Sequence, residues 1–291
     1  MTPSELEVPI NPPTENPQVS LSFSVLPVLN YALQQNRIPM VQSLCIVNHT
    51  PEPLQDFDLC ISAAPDMCLP LQKHIDFVPA QSTYEVKDVR LMLNAEFLAG
   101  VTEKITGLLT LRLQKDGEIL CTDTTEITAL AFDQWHGSAF FPELLAAFVT
   151  PNHPQVAQIV AKASALLGEW TGDPSLDGYL SNDHSRVLLQ AAAIYGVLQK
   201  QEIVYAVHPA SFERVGQRVR LCDEVIQQKM GPCMDLTLLY ASCLEAIGLN
   251  PILVLQPGHI FCALWLEKLS FPEPIQDDGS ALTKRLANGV N

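Results

Sequence analysis

The sequence predicts two domains, an all-β domain of the immunoglobulin-like sandwich type followed by an α+β domain. Three observations lead to this fold class. Residues 20–133 of the 291-residue chain place apolar side chains with the period of strands, and the period becomes helical after about residue 136. A strong helix followed by two apolar strands then completes the pattern. We therefore expect a flexible, proline-rich tail at residues 1–19, a β-sandwich at 20–135 and an α+β domain at 136–291.

Short segments rich in Val, Ile, Leu and Thr build the first domain. Turn-forming clusters of Pro, Asn, Asp and Gly separate these segments. Lys115-Asp116-Gly117 predicts a hairpin, because Asp-Gly tolerates the positive φ that a tight turn needs. Five or more short strands divided in this way are typical of an immunoglobulin-like sandwich. The predicted strands are residues 41–48, 57–62, 83–88, 106–114 and 119–131.

Helical spacing begins after Trp135-His136-Gly137, and the domain boundary depends on this change of period alone. A short strand, a loop at 209–212 and a short helix follow the first helices. The predicted elements are helices at 142–149, 154–170 and 186–199, a strand at 201–206, helices at 223–228 and 234–247, and strands at 251–255 and 260–266. Cys233 thus stands at the start of the strong helix that Gly248 ends, and His259 stands at the entrance of the last strand.

Composition and charge exclude several classes of function. An apolar fraction of 47% and a charged fraction of 17% can fill real cores. The net charge of −15 disfavours direct binding to nucleic acid or anionic lipid. The N-terminus lacks the basic and apolar regions of a secretory signal, and no apolar run is long enough to span a membrane. We expect a folded, soluble, cytoplasmic protein.

Motifs for cofactors and metals are missing from the sequence. It contains no G-x-x-x-x-G-K-[ST], no G-x-G-x-x-G and no H-E-x-x-H, so no cofactor and no metal are predicted. The eight cysteines form no C-x-x-C pair and no zinc-type spacing. Reduced thiols are the simplest interpretation, with a disulfide between Cys45 and Cys121 as the alternative.

Cys233 lies at or beside the first turn of a predicted helix, in Gly231-Pro232-Cys233-Met234-Asp235. A thiol attacks carbonyl carbon as the thiolate, and the unpaired N–H groups of a helix start favour that form. Pro232 suits a helix entrance, and a carboxylate such as Asp235 is favourable in the first turn. A buried, inert cysteine is the competing interpretation.

His259 precedes the strand that is expected to pack beside this helix. From such a position an imidazole can take the thiol proton and later donate it to a leaving amine. A loop histidine at a turn is the alternative. The other histidines have no comparable partner and are expected at the surface or as helix caps: His49, His74, His136, His153, His184 and His208.

Residues 231–235, the helix end at 244–251 and Gly258-His259 resemble the Cys-His core of the transglutaminase-like (papain-like) family, whose pattern runs G-x-C-x-D and then H-x-W/F. More closely, residues from about 30 to 291 resemble the N-terminal region of large bacterial proteins in which this module precedes a superfamily 1 helicase-like ATPase. The closer match is carried by residues 29–37, 148–154, 216–221 and 258–261. The resemblance implies a bacterial, cytoplasmic protein associated with a helicase-like partner.

The family places the third catalytic residue, a carboxylate, on the strand after the histidine strand. Asp277 and Asp278 are available, but a predicted loop and helix at 279–288 follow them, so they are equally suited to cap that helix. The alternative is a carboxylate beyond Asn291, in which case the chain is a truncated domain.

Two functions compete at this stage. The first is acyl transfer or hydrolysis of a peptide amide by a Cys233 nucleophile with His259 as base and acid, acting on a protein or peptide substrate. The second is a non-catalytic protein-interaction module with a vestigial Cys-His pair.

Overall fold

The domain boundary predicted from the hydrophobic period lies close to the boundary that the contacts within the structure define. A computed structural model describes residues 18–206 and 216–281, and it is a mixed α/β structure with several sheets. The chain divides into two compact units between Ala129 and Leu130, whereas the period predicted a boundary near residue 135. Most of the predicted tail lies outside the described residues, although Val19 already belongs to a strand.

Eight strands and two one-turn helices make up the described part of the first unit. They are β1 (Val19–Val25), β2 (Val28–Leu29), α1 (Tyr31–Gln35), β3 (Val41–Asn48), β4 (Leu54–Ala64), β5 (Leu71–Val78), β6 (Ser82–Glu85), α2 (Ala95–Ala99), β7 (Ile105–Lys115) and β8 (Glu118–Ala129). One antiparallel sheet has the order β1-β3-β6. The other has the order β2-β8-β7-β4-β5 and is antiparallel except for the β2-β8 pair.

Alternate residues of the long strands are buried, as the period of two requires. Leu109, Leu111 and Leu113 of β7 are each at most 1% exposed. The predicted hairpin is confirmed, because Asp116 and Gly117 take φ angles of 51° and 84° between β7 and β8. The predicted strands at 41–48 and 119–131 correspond to β3 and β8, which belong to different sheets.

Four α-helices, one 3-10 helix and six strands make up the second unit where the structure describes it. They are β9 (Gln134–Trp135), the 3-10 helix (Pro142–Phe148), α3 (Pro154–Thr171), α4 (His184–Gln199), β10 (Val204–Tyr205), β11 (Gln217–Arg218), α5 (Cys222–Gln228), β12 (Met230–Gly231), α6 (Cys233–Ala246), β13 (Pro251–Gln256) and β14 (His259–Leu264). The strands form three separate pairs: β9 with β11, β10 with β12, and β13 with β14.

Local caps fix the ends of the long helices. His153 Nδ1 accepts from Gln155 N at 3.2 Å at the start of α3, and Gly172 ends that helix with a φ of 78°. Asp183 caps α4 in the same way by accepting from Ser185 N at 2.9 Å. Apolar faces of α3, α4, α5 and α6 then pack into one buried cluster.

Two predicted elements differ from the structure. The segment at 142–149 forms a 3-10 helix instead of an α-helix. The strand predicted at 201–206 is reduced to β10, because Glu202 takes a positive φ of 58° that breaks an extended run. The predicted order of helix, strand and strand at the end of the domain is present as α6, β13 and β14. The predicted loop at 209–212 lies outside the described residues.

Candidate functional site

Cys233 is the first residue of the 14-residue helix α6. Pro232 precedes it with extended backbone, at φ −73° and ψ 177°, and provides no capping side chain. The start of α6 therefore has no side-chain cap from Pro232, and unpaired N–H groups at a helix start favour a negative charge. The Cys233 side chain is half-buried, unlike the fully buried thiols of Cys222 and Cys243.

Asp235 connects the start of α6 to the segment between β11 and α5. Its carboxylate, 1% exposed, accepts from the backbone N–H of Arg220 at 3.2 Å and from Arg220 Nη1 at 3.2 Å. Arg220 Nε also donates to Gln228 Oε1 at 3.1 Å, at the end of α5. The acidic position of the G-x-C-x-D pattern thus has a structural role, since Asp235 connects α6 to its neighbouring loop and helix.

Tyr205 lies beside Cys233, although the two are far apart in sequence. Parallel pairing of β10 with β12 puts Tyr205 opposite Gly231, and Ala206 N donates to Gly231 O at 3.0 Å. The pKa of Tyr205 is raised first by desolvation of its hydroxyl and then by the neighbouring Cys233 thiol, while the backbone N–H of Cys233 acts in the opposite direction. The phenol therefore remains a proton donor next to the sulfur.

His259 is the first residue of β14 and is exposed. It follows the turn Pro257-Gly258, where Gly258 takes a φ of 73°. Its ring stacks on that of Phe261, with centroids 6.3 Å apart and an interplanar angle of 26°. Within the described residues it forms no hydrogen bond or ion pair, so the thiol and the imidazole are not in hydrogen-bond contact. Catalytic hydrogen bonds are often long in unliganded enzymes and tighten when substrate binds.

A hydroxyl of α6 connects the two candidate residues through the backbone. Thr237 stands one turn after Cys233, and its Oγ1 donates to the carbonyl of Ile260 at 3.2 Å. Ile260 is the residue after His259. The starts of α6 and β14 are therefore brought to the same region of the second unit.

Asp278 caps the short helical segment that follows it. Its two carboxylate oxygens accept from Ser280 N at 2.9 Å and from Ser280 Oγ at 2.8 Å, and these bonds lower its pKa. Residues 279–281 are helical, and the rest of the predicted helix at 279–288 lies outside the described residues. Asp277 is exposed. The capping alternative therefore describes Asp278.

Of the other histidines, His49 and His74 are exposed and His153 caps α3, as the sequence predicted. Three histidines also have acidic partners, none of which is a thiol. The pairs are His74 Nδ1 with Asp58 Oδ1 at 3.0 Å, His184 Nε2 with Glu267 Oε1 at 3.0 Å and His153 Nε2 with Asp223 Oδ1 at 3.6 Å. His136 is 2% exposed and packs edge-on against Phe141, so its predicted surface position is wrong. The pairing of β4 with β5 puts His74 opposite Asp58, whereas His153 and His184 stand at the starts of α3 and α4. His208 lies outside the described residues.

A cavity of about 280 Å³ in the second unit is lined by other residues, among them Tyr179, His184 and Lys268. In the described part of the chain, no group of three or more His, Cys, Asp or Glu side chains is arranged to hold a metal ion.

All eight cysteines are free thiols, so the alternative of a disulfide between Cys45 and Cys121 is wrong for this structure. Among the helices described, none combines the length and apolarity needed to span a membrane.

Tyr205 and Thr237 are the residues of this region that sequence reasoning missed. Tyr205 sits in an ordinary strand-like segment, and only the parallel pairing of β10 with β12 brings it to Cys233. Thr237 carries a weak signal, because a hydroxyl four residues after a candidate nucleophile lies on the same face of a helix. Comparisons of the chain with protein-family models, curated proteins and solved structures found no match.

Proposed function

We propose that residues 136–291 belong to a transglutaminase-like, papain-like Cys-His domain that catalyses thiol-dependent acyl transfer or hydrolysis of a peptide amide. Cys233 is the nucleophile in this proposal, and His259 is the general base and then the general acid. The β-rich unit that precedes it is proposed to be an immunoglobulin-like sandwich, in keeping with its two sheets of alternately buried strands.

One observation carries the proposal: a half-buried thiol begins a long helix and has a phenol beside it. A helix N-terminus favours the thiolate through its unpaired N–H groups. Desolvation raises the pKa values of Cys243 and Cys262 to about 12, so these thiols are kept neutral and inert. Cys233 is half-buried, and a reactive cysteine needs such access to solvent.

The chemistry balances with the groups present. His259 accepts the proton of Cys233 Sγ, and the thiolate forms a C–S bond with the amide carbonyl carbon. The resulting oxyanion collapses as the C–N bond breaks, and the amine leaves with the proton from His259. Water or a second amine then attacks the thioester, which returns the thiol and completes hydrolysis or acyl transfer.

Tyr205 supplies a donor for the oxyanion in this scheme. The Cys233 thiol raises the pKa of Tyr205 and the Cys233 backbone N–H lowers it, so the hydroxyl is a neighbour of the candidate nucleophile. A neutral hydroxyl in this position is suited to donate to an oxyanion formed at the sulfur. Loss of one such donor typically lowers kcat by about 10²–10³-fold.

A non-catalytic interaction module is the second candidate, and one observation favours it. The His259 ring makes no hydrogen bond or ion pair with the described residues and instead stacks on Phe261. A vestigial pair would leave the imidazole in this state permanently. In either case the partner is a protein or peptide, and the resemblance adds a helicase-like ATPase in a bacterial cytoplasm. The eight free thiols support a reducing compartment.

Alkylation by iodoacetamide, followed by mass spectrometry of each cysteine peptide, tests the proposal. We expect Cys233 to react faster near neutral pH than the other seven cysteines, which serve as internal controls. His259→Ala should slow Cys233 alkylation without lowering the melting temperature, since the residue is exposed. Tyr205→Phe keeps the ring and removes only the hydroxyl.

Cellular activity of Cys233→Ala and His259→Ala, measured in the natural full-length protein, separates the two functions. An enzyme requires that both variants fold normally and lose activity. Full activity of both stable variants would support the interaction module and exclude the catalytic role.

A further inference from the structure

Thr237 provides a hydroxyl that leaves its own helix to bond a strand. The residue is 6% exposed, and its Oγ1 donates to the backbone carbonyl of Ile260 in β14 at 3.2 Å. A threonine inside a helix ordinarily bonds the carbonyl four residues earlier, which here belongs to Cys233. The hydroxyl of Thr237 instead reaches the residue that follows His259.

Ser242 shows the ordinary behaviour on the same helix. It is fully buried, its Oγ donates to Leu238 O at 2.7 Å within α6, and it accepts from Thr150 N at 2.9 Å. Neither contact reaches β14. The two buried hydroxyls of α6 therefore serve different purposes, one inside the helix and its loop and one across to the histidine strand.

The rest of the contact between α6 and β14 is less specific. Cys262 and Leu264 pack against the buried cluster to which α6 contributes, and such apolar contacts set a distance more firmly than they set a register. A hydrogen bond between a side chain and a backbone carbonyl has a defined direction and length. Thr237 thus fixes where β14, and with it His259, stands along α6.

We propose that Thr237 is a positioning residue, whose hydrogen bond to Ile260 sets the separation of the Cys233 thiol from the His259 imidazole. The inference rests on the proposed function, because it assigns Thr237 a role in the same site. Proton transfer requires heavy atoms within about 2.6–3.2 Å, and a misplacement of about 1 Å can cost about 10²-fold in rate. A bond one residue from the base and one turn from the nucleophile controls this distance directly.

The test is the pH profile of Cys233 alkylation by iodoacetamide in the full chain, resolved by peptide mass spectrometry. Thr237→Val has the same shape without the hydroxyl, and Thr237→Ser restores the hydroxyl. We expect the Cys233 rate at about pH 6 to fall about tenfold in Thr237→Val and to stay within about threefold of wild type in Thr237→Ser.

Ser242→Ala is the matched control, because it removes a buried hydroxyl from the same helix without touching β14. It should lower the melting temperature and leave the pH profile unchanged. Thr237→Ala replaces Thr237→Val if the valine variant does not fold.

Three outcomes are distinguishable. The positioning role is supported if the Cys233 alkylation rate depends on His259 in wild type, and if Thr237→Val loses this dependence while Thr237→Ser keeps it. A His259-dependent rate that Thr237→Val retains overturns the positioning role and leaves the proposed function standing. A wild-type rate that His259→Ala does not change removes the proposed function, and the positioning role with it.

Discussion

Asp235 is the buried charge closest in sequence to the candidate thiol, and its partner decides its energetics. Asp235 is 1% exposed while the Arg220 side chain is 27% exposed, so the pair is buried on one side and hydrated on the other. Breaking a buried pair by removing one charge costs more than the pair contributes, because the remaining charge keeps its desolvation penalty.

We expect Asp235→Asn to lower the free energy of unfolding by about 2–3 kcal/mol, less than a fully buried pair because Arg220 can turn toward water. Urea denaturation measures the change. Glu202→Gln is the control, since its pair with Lys229 at 3.4 Å is exposed on both sides and should be worth less than about 1 kcal/mol. Equal losses in the two variants would contradict a structural role for Asp235.

Gly231 faces the first turn of α6 at close range. A Cβ at this position would lie 3.3 Å from Asp235 Cβ and 3.3 Å from Leu236 Cδ2. Asp235 cannot withdraw easily because Arg220 holds its carboxylate.

Gly231→Ala is therefore expected to lower the free energy of unfolding by about 1–3 kcal/mol through overpacking. Gly279→Ala provides the comparison, since no atom of the described residues lies within 4 Å of an added Cβ there. Thermal and urea unfolding of both variants give the result, and a Gly231→Ala protein as stable as wild type would show that the helix start can shift.

Residue positions could be predicted where a single local rule decides them. Cys233 at a helix start and His259 at a strand entrance follow from Pro232, Gly248 and the apolar runs around them. Tyr205 could not be predicted, because its contact depends on a two-residue parallel strand pair and on where α6 packs. Whether His259 reaches the thiol also depends on packing distances that no motif encodes.

The bounds of helices were predicted more reliably than those of short strands, because helix ends depend on local residues. α3 begins at Pro154, as the sequence predicted, and α4 begins at His184, two residues before the predicted start at residue 186. β10 retains only two residues, because the positive φ of Glu202 was not visible as a turn signal. Strong helices were thus predictable to within about two residues, and strands that depend on distant partners were not.

The buried thiol of Cys243, in α6, makes the free energy of unfolding fall as the pH becomes alkaline. Burial raises its pKa to about 12, well above an unfolded thiol, so the folded chain keeps the proton that the unfolded chain releases. The raised pKa contributes stability that is fully present below about pH 8.5 and is lost as the pH rises toward 12.

Between about pH 8 and pH 10 the free energy of unfolding should therefore fall by about 1–2 kcal/mol more in wild type than in Cys243→Ala. Leu244→Ala is the matched control, because it also creates a cavity in α6 but removes no titratable group. It should keep the wild-type pH dependence. Urea unfolding at the two pH values gives the comparison, and identical slopes in wild type and Cys243→Ala would exclude this origin.

Charge acts on the molecule as a whole. The chain carries 32 acidic and 17 basic side chains, for a net charge of −15. Some of the basic groups are also held by carboxylates, as Arg186 is by Asp173 at 3.1 Å and Arg218 by Asp133 at 3.0 Å. If this chain acts beside a helicase-like ATPase, we expect contacts to nucleic acid to come from the partner.

We therefore expect this chain to show no binding to single- or double-stranded oligonucleotides in fluorescence anisotropy near physiological salt. Non-specific DNA binding at that salt has a Kd of about 10⁻⁴–10⁻⁶ M and comes from release of counterions by basic side chains, which acidic side chains outnumber here by 32 to 17. Lowering the salt should not create binding, because repulsion between like charges grows as screening weakens. A Kd below about 10⁻⁵ M that weakens with added salt would reveal a local basic surface and would contradict the prediction.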